Sequence, residues 1–438
     1  MGVSRSKKQF IQIICMALLV TSCAVKQPLH VIRQNDIERV IRILAADDMQ
    51  GRGLSGPGIE KAATFIEKEF GAIGLQTYKG SQSFRQEFPM NRIAPGQLNV
   101  KINGSPVENQ DVFIVSDVES LDWRNSEDTN IQYIRSGQSF IERYKEIMQL
   151  KTPALVYVDR QFFDSFKRFR THYMQERIVQ EPAGHAAVFI LGESEMVSCF
   201  EVSYSNVIKK ETLFNVAGII PGKSRSKELV IFSGHYDHLG IVQSSAGDSI
   251  ANGADDDASG ITAVISLARY YKNLNNNERT LVFVAFTAEE AGLKGSEYFS
   301  KQINPEEVIA MFNIEMIGKE SKFGKNAAFI TGFERSDFGR ILQTNLKGST
   351  FRFYPDPYPQ QQLFYRSDNA SLAALGVPAH TISTDQIDTD RFYHTVDDEI
   401  ETLDMKNILS TIKAIAVSSQ SIISGQDTPK RITKIQNE

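Results

Sequence analysis

The chain has 438 residues, 41% of them hydrophobic and 23% charged, with 29 Gly and 14 Pro. This composition excludes a disordered, collagen-like or low-complexity polymer and leaves ample chain for a buried core. Its 48 Lys and Arg against 53 Asp and Glu give a formal charge of −5, with no basic run past the extreme N-terminus, so no nucleic-acid partner is expected.

Residues 1–22 read as a lipoprotein signal peptide. Arg5, Lys7 and Lys8 precede an apolar stretch at 10–20. At about 1.5 Å per residue it is too short to cross a hydrocarbon core of about 30 Å, as expected of a signal sequence. Val20-Thr21-Ser22-Cys23 resembles a bacterial lipobox, which implies a lipid on Cys23 and a tether to the cell envelope. Ala24 rather than aspartate after the cysteine resembles outer-membrane sorting, facing the periplasm. Cys15 leaves with the signal and Cys199 remains as a lone thiol. The cysteines build neither a disulfide framework nor a CxxC zinc site, so metal chemistry falls to histidine and carboxylates.

Residues 23–83 are expected to be a helical segment packing on a later domain. Ile37, Val40, Ile41 and Leu44 share one helical face; a glycine-rich loop at 51–58 follows, then a second helix burying Ala62, Ala63, Phe65, Ile66 and Phe70 and ending at Gly71 or Gly74. From 84 to 212 the pattern changes to short apolar runs at 98–102, 112–115, 154–158 and 186–190, read as an inserted β-rich domain. From 213 to 425 the rhythm is strand, loop, helix. Runs at 229–232, 280–286, 308–316 and 327–330 suit strands buried on both faces, and 259–274 has helical spacing. Such alternation predicts an α/β fold, a three-layer αβα sandwich on a mostly parallel mixed sheet. Residues 426–438 form a polar tail.

In such sheets ligands bind beyond the carboxyl ends of the strands. Gly234-His235-Tyr236-Asp237-His238 follows the first run, and Gly253-Ala254-Asp255-Asp256-Asp257-Ala258-Ser259-Gly260 opens the helix. Thr287-Ala288-Glu289-Glu290 follows the second run; Asn313-Ile314-Glu315-Met316 lies in the third, and Tyr393-His394-Thr395 stands far downstream. Each has an ordinary alternative: a hydrogen-bonded His-Asp pair, an aspartate N-cap, a solvated helix start. Glu315 is harder to dismiss, because it puts a charge into an apolar strand. Acids and imidazoles gathered at strand ends need partners or metal to offset several kcal/mol of burial cost.

Together these segments resemble the zinc-site motifs of the M28 family of co-catalytic zinc peptidases, which includes aminopeptidases, glutamate carboxypeptidase-like enzymes and glutaminyl cyclases. The resemblance covers about 210 residues of the C-terminal half, and Leu44-Ala45-Ala46-Asp47-Asp48-Met49-Gln50-Gly51-Arg52 resembles the segment that precedes that domain. The stretches 153–158 and 184–192 resemble a protease-associated domain. Carried over, the resemblance implies a zinc exopeptidase-like fold and two Zn2+ ions per chain. His235 and Glu315 would hold one ion, Glu290 and His394 the other, and Asp256 would bridge them. Imidazole and carboxylate suit zinc, and three protein ligands per ion leave a position for water. Glu289 would be the general base, Asp237 would orient the His235 imidazole, and Tyr393 would donate to the oxyanion. Two departures stand out: Glu315 where the family more often has aspartate, and Asn369 in Ser367-Asp368-Asn369 where many relatives have histidine. The latter bears on the substrate pocket or the surroundings of the ligands rather than on metal binding. The expected function is an aminopeptidase acting on peptides. A glutaminyl cyclase, a glutamate-carboxypeptidase-like enzyme and a non-catalytic envelope binding protein are the alternatives.

Overall fold

A computed structural model describes residues 28–434, apart from 125–129, 151, 181, 183, 185, 194–196 and 246. The expected signal peptide and the lipid-bearing Cys23 lie outside the described residues. Among those described, no helix is long and apolar enough to cross a membrane.

The strands of the C-terminal half are nearly continuous apolar runs because both of their faces are covered. Along Arg225–His235, Val230 and Phe232 turn to one core, shared with Ile41, Ile66, Val264 and Ile412 of four helices. Ile231 turns to the other core, against Phe299 and Leu372. Helices Gln34–Leu44, Pro57–Ile73, Gly260–Leu274, Phe338–Asn345, Met405–Ser418 and Gln420–Ile423 pack into the first core, while Lys294–Gln302 and Asn369–Ala373 cover the second face. Three layers result, as the alternation predicts. Pro57 at the start of its helix and Gly74 past its end, at φ 79°, mark the boundaries expected of those residues.

The central sheet runs Arg352–Pro355, Ala327–Ile330, Ala379–Ser383, Val308–Ile314, Arg225–His235, Arg279–Phe286, Phe200–Ile220, Arg85–Ile102 and Ser105–Pro106. Arg225–His235 lies parallel to both neighbours, and Val308–Ile314 is parallel to Ala379–Ser383. Ala327–Ile330 and Phe200–Ile220 join antiparallel, which makes the sheet mixed. The third apolar run stops short of its expected end at 316. Met316 takes φ 50°, so the chain leaves the sheet after Ile314 and Glu315 sits just beyond the strand.

The middle of the chain departs further from expectation. Phe200–Ile220 and Arg85–Ile102 pair along their length, from Val216 opposite Arg85 to Phe200 opposite Ile102. They extend the central sheet outward as an arm, with Ser120–Arg124 and Arg177–Val179 added along its edges. Beyond the arm is a second sheet in the order Val112–Ser116, Ala186–Leu191, Ala154–Val158, Asn130–Ile134. Helices Phe140–Met148 and Phe163–Tyr173 pack on it through Phe140, Ile147 and Phe166. The lobe is therefore α/β rather than β alone.

Candidate metal centre

The acidic and imidazole residues come together at the carboxyl ends of the parallel strands. His235 closes its strand; Glu289 and Glu290 follow Arg279–Phe286, Glu315 follows Val308–Ile314, and His394 lies in the loop after Ala379–Ser383. Ala288, Met316 and His394 hold φ of 55°, 50° and 57°, a region costly for side-chain-bearing residues. Gly260, at the start of the helix, lies so near the neighbouring strand that a Cβ would stand 2.2 Å from the Ile314 carbonyl.

Asp256 occupies the middle. Its Oδ1 lies 3.1 Å from Nε2 of His235, and its Oδ2 lies 3.3 Å from Nε2 of His394. The other oxygen-bearing neighbour of His394 is Glu290, with Oε2 at 3.2 Å. Potential ligand atoms of His235, Glu289 and Glu315 lie within 4.8 Å of one another, and so do those of His238, Asp256 and Glu290. All the residues expected at the site are thus brought together. Tyr393 stacks on His394 at 3.9 Å between ring centroids and lines the cleft.

Asp237 acts through different atoms from those expected. The His235 Nδ1 meets the main-chain carbonyl of Asp237 at 3.1 Å, while the carboxylate is 3.8 Å from the ring. That carboxylate instead accepts from the amides of Glu289 and Glu290, at 3.1 and 3.3 Å. It holds the turn that carries both glutamates. Asn369 does not line the cleft. It is fully buried, donates to the Phe364 carbonyl and accepts from Thr381 Oγ1, so it supports the floor rather than meeting a ligand.

The three consecutive aspartates divide their work. Asp255 Oδ1 accepts from the Gly318 amide at 2.7 Å. Asp257 caps the helix by accepting from the Gly260 amide at 3.0 Å and also accepts from the amides of His235 and Met316. Asp256 alone is left for the centre. Its loop is gripped from two sides by residues to which the sequence reading gave no role. Arg52, with no exposed surface, donates to the carbonyls of Tyr236, Leu44, Asn252, Gly253 and Asp256. Asp398 accepts from the amides of Asp255 and Asp256. His238 was also overlooked: its Nδ1 is 2.9 Å from Glu290 Oε1. Its position three residues after His235 on the same post-strand loop was the available signal.

The electrostatics show a shortage of positive charge. Burial raises Glu289 well above the usual carboxylate range, with Glu315 and Asp368 adding to the effect. Burial likewise pushes Glu315 and Asp368 up to about 7 and Asp237 up to about 6. Burial opposes charge on His235 and His394, yet the surrounding carboxylates win, raising His235 well above its ordinary value and His394 to about 10. Among the described residues, Nε2 of His238, Oε2 of Glu315 and both oxygens of Asp368 are buried without a hydrogen-bond partner. Unsatisfied nitrogen and oxygen donors in an electronegative pocket fit divalent cations that accept such ligands, zinc among them.

Two groups of histidine and carboxylate donors at the carboxyl ends of a parallel sheet, with Asp256 reaching His235 on one side and His394 on the other, mark a candidate metal centre. Residues 215–418 match the model of Peptidase family M28. A probable leucine aminopeptidase of Trichophyton verrucosum is 29% identical over 208 residues, which cover 45% of this chain and 54% of that protein. One of Arthroderma benhamiae is 28% identical over 255 residues, covering 55% and 65% respectively. The chain thus spans between about half and two thirds of the length of these curated relatives. Among solved structures, an aminopeptidase from Aneurinibacillus sp. strain AM-1 superposes with a TM-score of 0.59 at 19% identity, covering 94% of this chain and 98% of that one. The zinc aminopeptidase BSAP from Bacillus subtilis gives 0.56 at 16% identity, with 92% and 99% coverage. These two likenesses establish a shared fold.

Proposed function

We propose that this protein is a di-zinc aminopeptidase that releases N-terminal residues from peptides. The observation that carries the reading is the division of the Asp256 carboxylate, one oxygen toward His235 and the other toward His394. His235 and Glu315 would hold one ion, His394 and Glu290 the other, and Asp256 would span both. Zinc, when bound, supplies Lewis acidity toward a carbonyl oxygen and toward water. The chain's own residues do the rest. Glu289, half-buried beside the ligands and held by Asp237 through its amide, takes a proton from the attacking water and returns it to the leaving amine nitrogen. Tyr393, kept protonated because burial raises its pKa, donates to the oxygen that gains charge. His238 fixes Glu290. The names of the curated relatives support leucyl peptides as first substrates, and the small cavity with Met316, Phe329, Leu363 and Ile387 in its wall suits an apolar side chain.

The test is incubation of metal-free and zinc-reconstituted protein with leucyl and glutaminyl peptides. Zinc-dependent release of free leucine is expected. Ammonia release from the glutaminyl peptide with its peptide bond intact would replace this reading with a cyclase, and inertness toward a broad peptide library would replace it with a binding protein. We further propose that Cys23 carries lipid and tethers the enzyme to the outer membrane, facing the periplasm. Cys23→Ser should release it from washed membranes, and retention there would overturn the anchor.

A further inference from the structure

Two cavities meet at the metal centre. One spans about 460 Å3, part of it open to solvent, and has apolar side chains and hydroxyls in its wall. The other is an open cleft of about 740 Å3 lined by the ligands Asp256, Glu290, Glu315 and His394. Glu315, Arg366 and Tyr393 line both. Among the described residues, Arg366 is the one arginine or lysine in either wall. Among the described residues its guanidinium has no carboxylate within 4.0 Å, although the cleft is rich in them, and its Nη1 donates to Gln361 Oε1 at 3.2 Å. The backbone beneath it is fixed: Ser367 Oγ accepts from Asn313, and Asn369 is held by Phe364 and Thr381. An exposed guanidinium on a fixed backbone, bordering both cavities, is placed to meet a planar anion.

We propose that Arg366 binds the free carboxylate of a short peptide, so that the enzyme prefers dipeptides to the same compounds capped as amides. The inference rests on the aminopeptidase reading. With the N-terminal side chain in the smaller cavity and the scissile carbonyl at the metal centre, the second residue, whose nitrogen is the leaving amine, projects into the open cleft. In a dipeptide its carboxylate is only two bonds beyond the scissile nitrogen, within the region that Arg366 borders. In a longer peptide a neutral amide occupies that position and gains less from the guanidinium.

The experiment compares kcat/KM of the zinc-loaded enzyme on Leu-Ala, Leu-Ala-amide and Leu-Glu-amide. The native enzyme is expected to favour Leu-Ala over its amide. In Arg366→Gln that ratio should fall by about 10- to 100-fold, the range of a charge-assisted hydrogen bond. Arg366→Lys should recover part of it, since a point charge lacks the fork. A ratio unchanged in Arg366→Gln, with both substrates cleaved, overturns the inference and leaves the aminopeptidase reading standing. A preference carried by Leu-Glu-amide instead assigns the carboxylate to a side chain and overturns the short-peptide assignment. Failure of native enzyme to cleave any of the three removes the aminopeptidase reading and this inference with it.

Discussion

The metal cleft and the middle lobe fill their interiors in opposite ways. The lobe core is apolar and aromatic, with Phe113 stacked on Phe189 at 4.7 Å and Val156 fully buried. Its ion pair Arg143–Glu146 lies on the surface, with the glutamate 61% exposed, while Arg177–Asp117 at the lobe's edge is partly buried. The cleft instead buries Asp237, Asp255, Asp256, Asp257, Asp368 and Asp398, together with His235 and Arg52. Those charges cost folding energy, and they are tolerated because backbone amides, carbonyls and opposite charges surround them. Packing alone accounts for the lobe. The cleft makes sense only if its excess of donors serves a ligand.

The largest effect expected from this contrast lies in Glu289. Glu289→Gln keeps size and polarity but cannot accept a proton. It should reduce the catalytic rate by at least about 100-fold while zinc content and melting temperature stay near those of the native protein. Glu290→Gln should weaken zinc binding, read by elemental analysis after dialysis. If Glu289→Gln strips zinc and Glu290→Gln does not, the roles are reversed.

Arg52 is the next test, because it is buried charge that touches no proposed substrate. Arg52→Met leaves carbonyls of Tyr236, Asn252 and Gly253 without their donor. The loss should be about 3–5 kcal/mol of stability, measured by denaturant unfolding, with weaker zinc affinity because the Asp256 loop loses one of its clamps. Unchanged zinc affinity in a destabilised variant would make Arg52 a fold residue only.

The sequence made the strand ends and the proposed ligand types legible, because apolar runs ending in His or Glu follow from burial on both faces. Its periodicity also exposed the face of Gln34–Leu44. It did not reveal Arg52, which acts through side-chain bonds to carbonyls as far as 204 residues away and has no local pattern. Nor did it separate the three aspartates, since only the fold decides which one faces the centre. Asp398 was hidden for the same reason: its partners are the amides of Asp255 and Asp256, on a distant segment. The helices of the lobe were missed because short strands and short amphipathic helices carry similar apolar runs.

The lobe provides the complementary test. Val156→Ala removes two buried methyl groups from a site with no exposed surface and should cost about 2 kcal/mol. Peptidase turnover at 25 °C should change little, because the residue belongs to the lobe core and not to the cleft. A large loss of activity with small loss of stability would mean that the lobe reaches the reaction.

His380 sharpens the comparison from within the central sheet. It lies on Ala379–Ser383 and is as buried as His235, yet no carboxylate lies within 4.0 Å of its ring among the described residues. Nδ1 meets the Thr331 carbonyl and Nε2 meets Ser336 Oγ, both at 2.8 Å. The carbonyl can only accept, so Nδ1 carries the proton and Nε2 accepts from the hydroxyl: the neutral ring satisfies both partners. Burial accordingly lowers its pKa to about 4, the reverse of the shift at His235. Because the unfolded chain binds this proton near pH 6.5, the unfolded state holds more protons below that pH and stability falls as pH drops from about 6.5 to about 4. The slope from this group alone approaches 1.4 kcal/mol per pH unit within the window and vanishes above it. Other groups titrate there too, so the measurement is a difference. Unfolding free energies of native protein and His380→Gln, taken from pH 7.5 to 4, should converge as pH falls, since only the native chain carries the buried imidazole. Parallel curves would mean that His380 takes up its proton in the folded state as readily as in the unfolded chain.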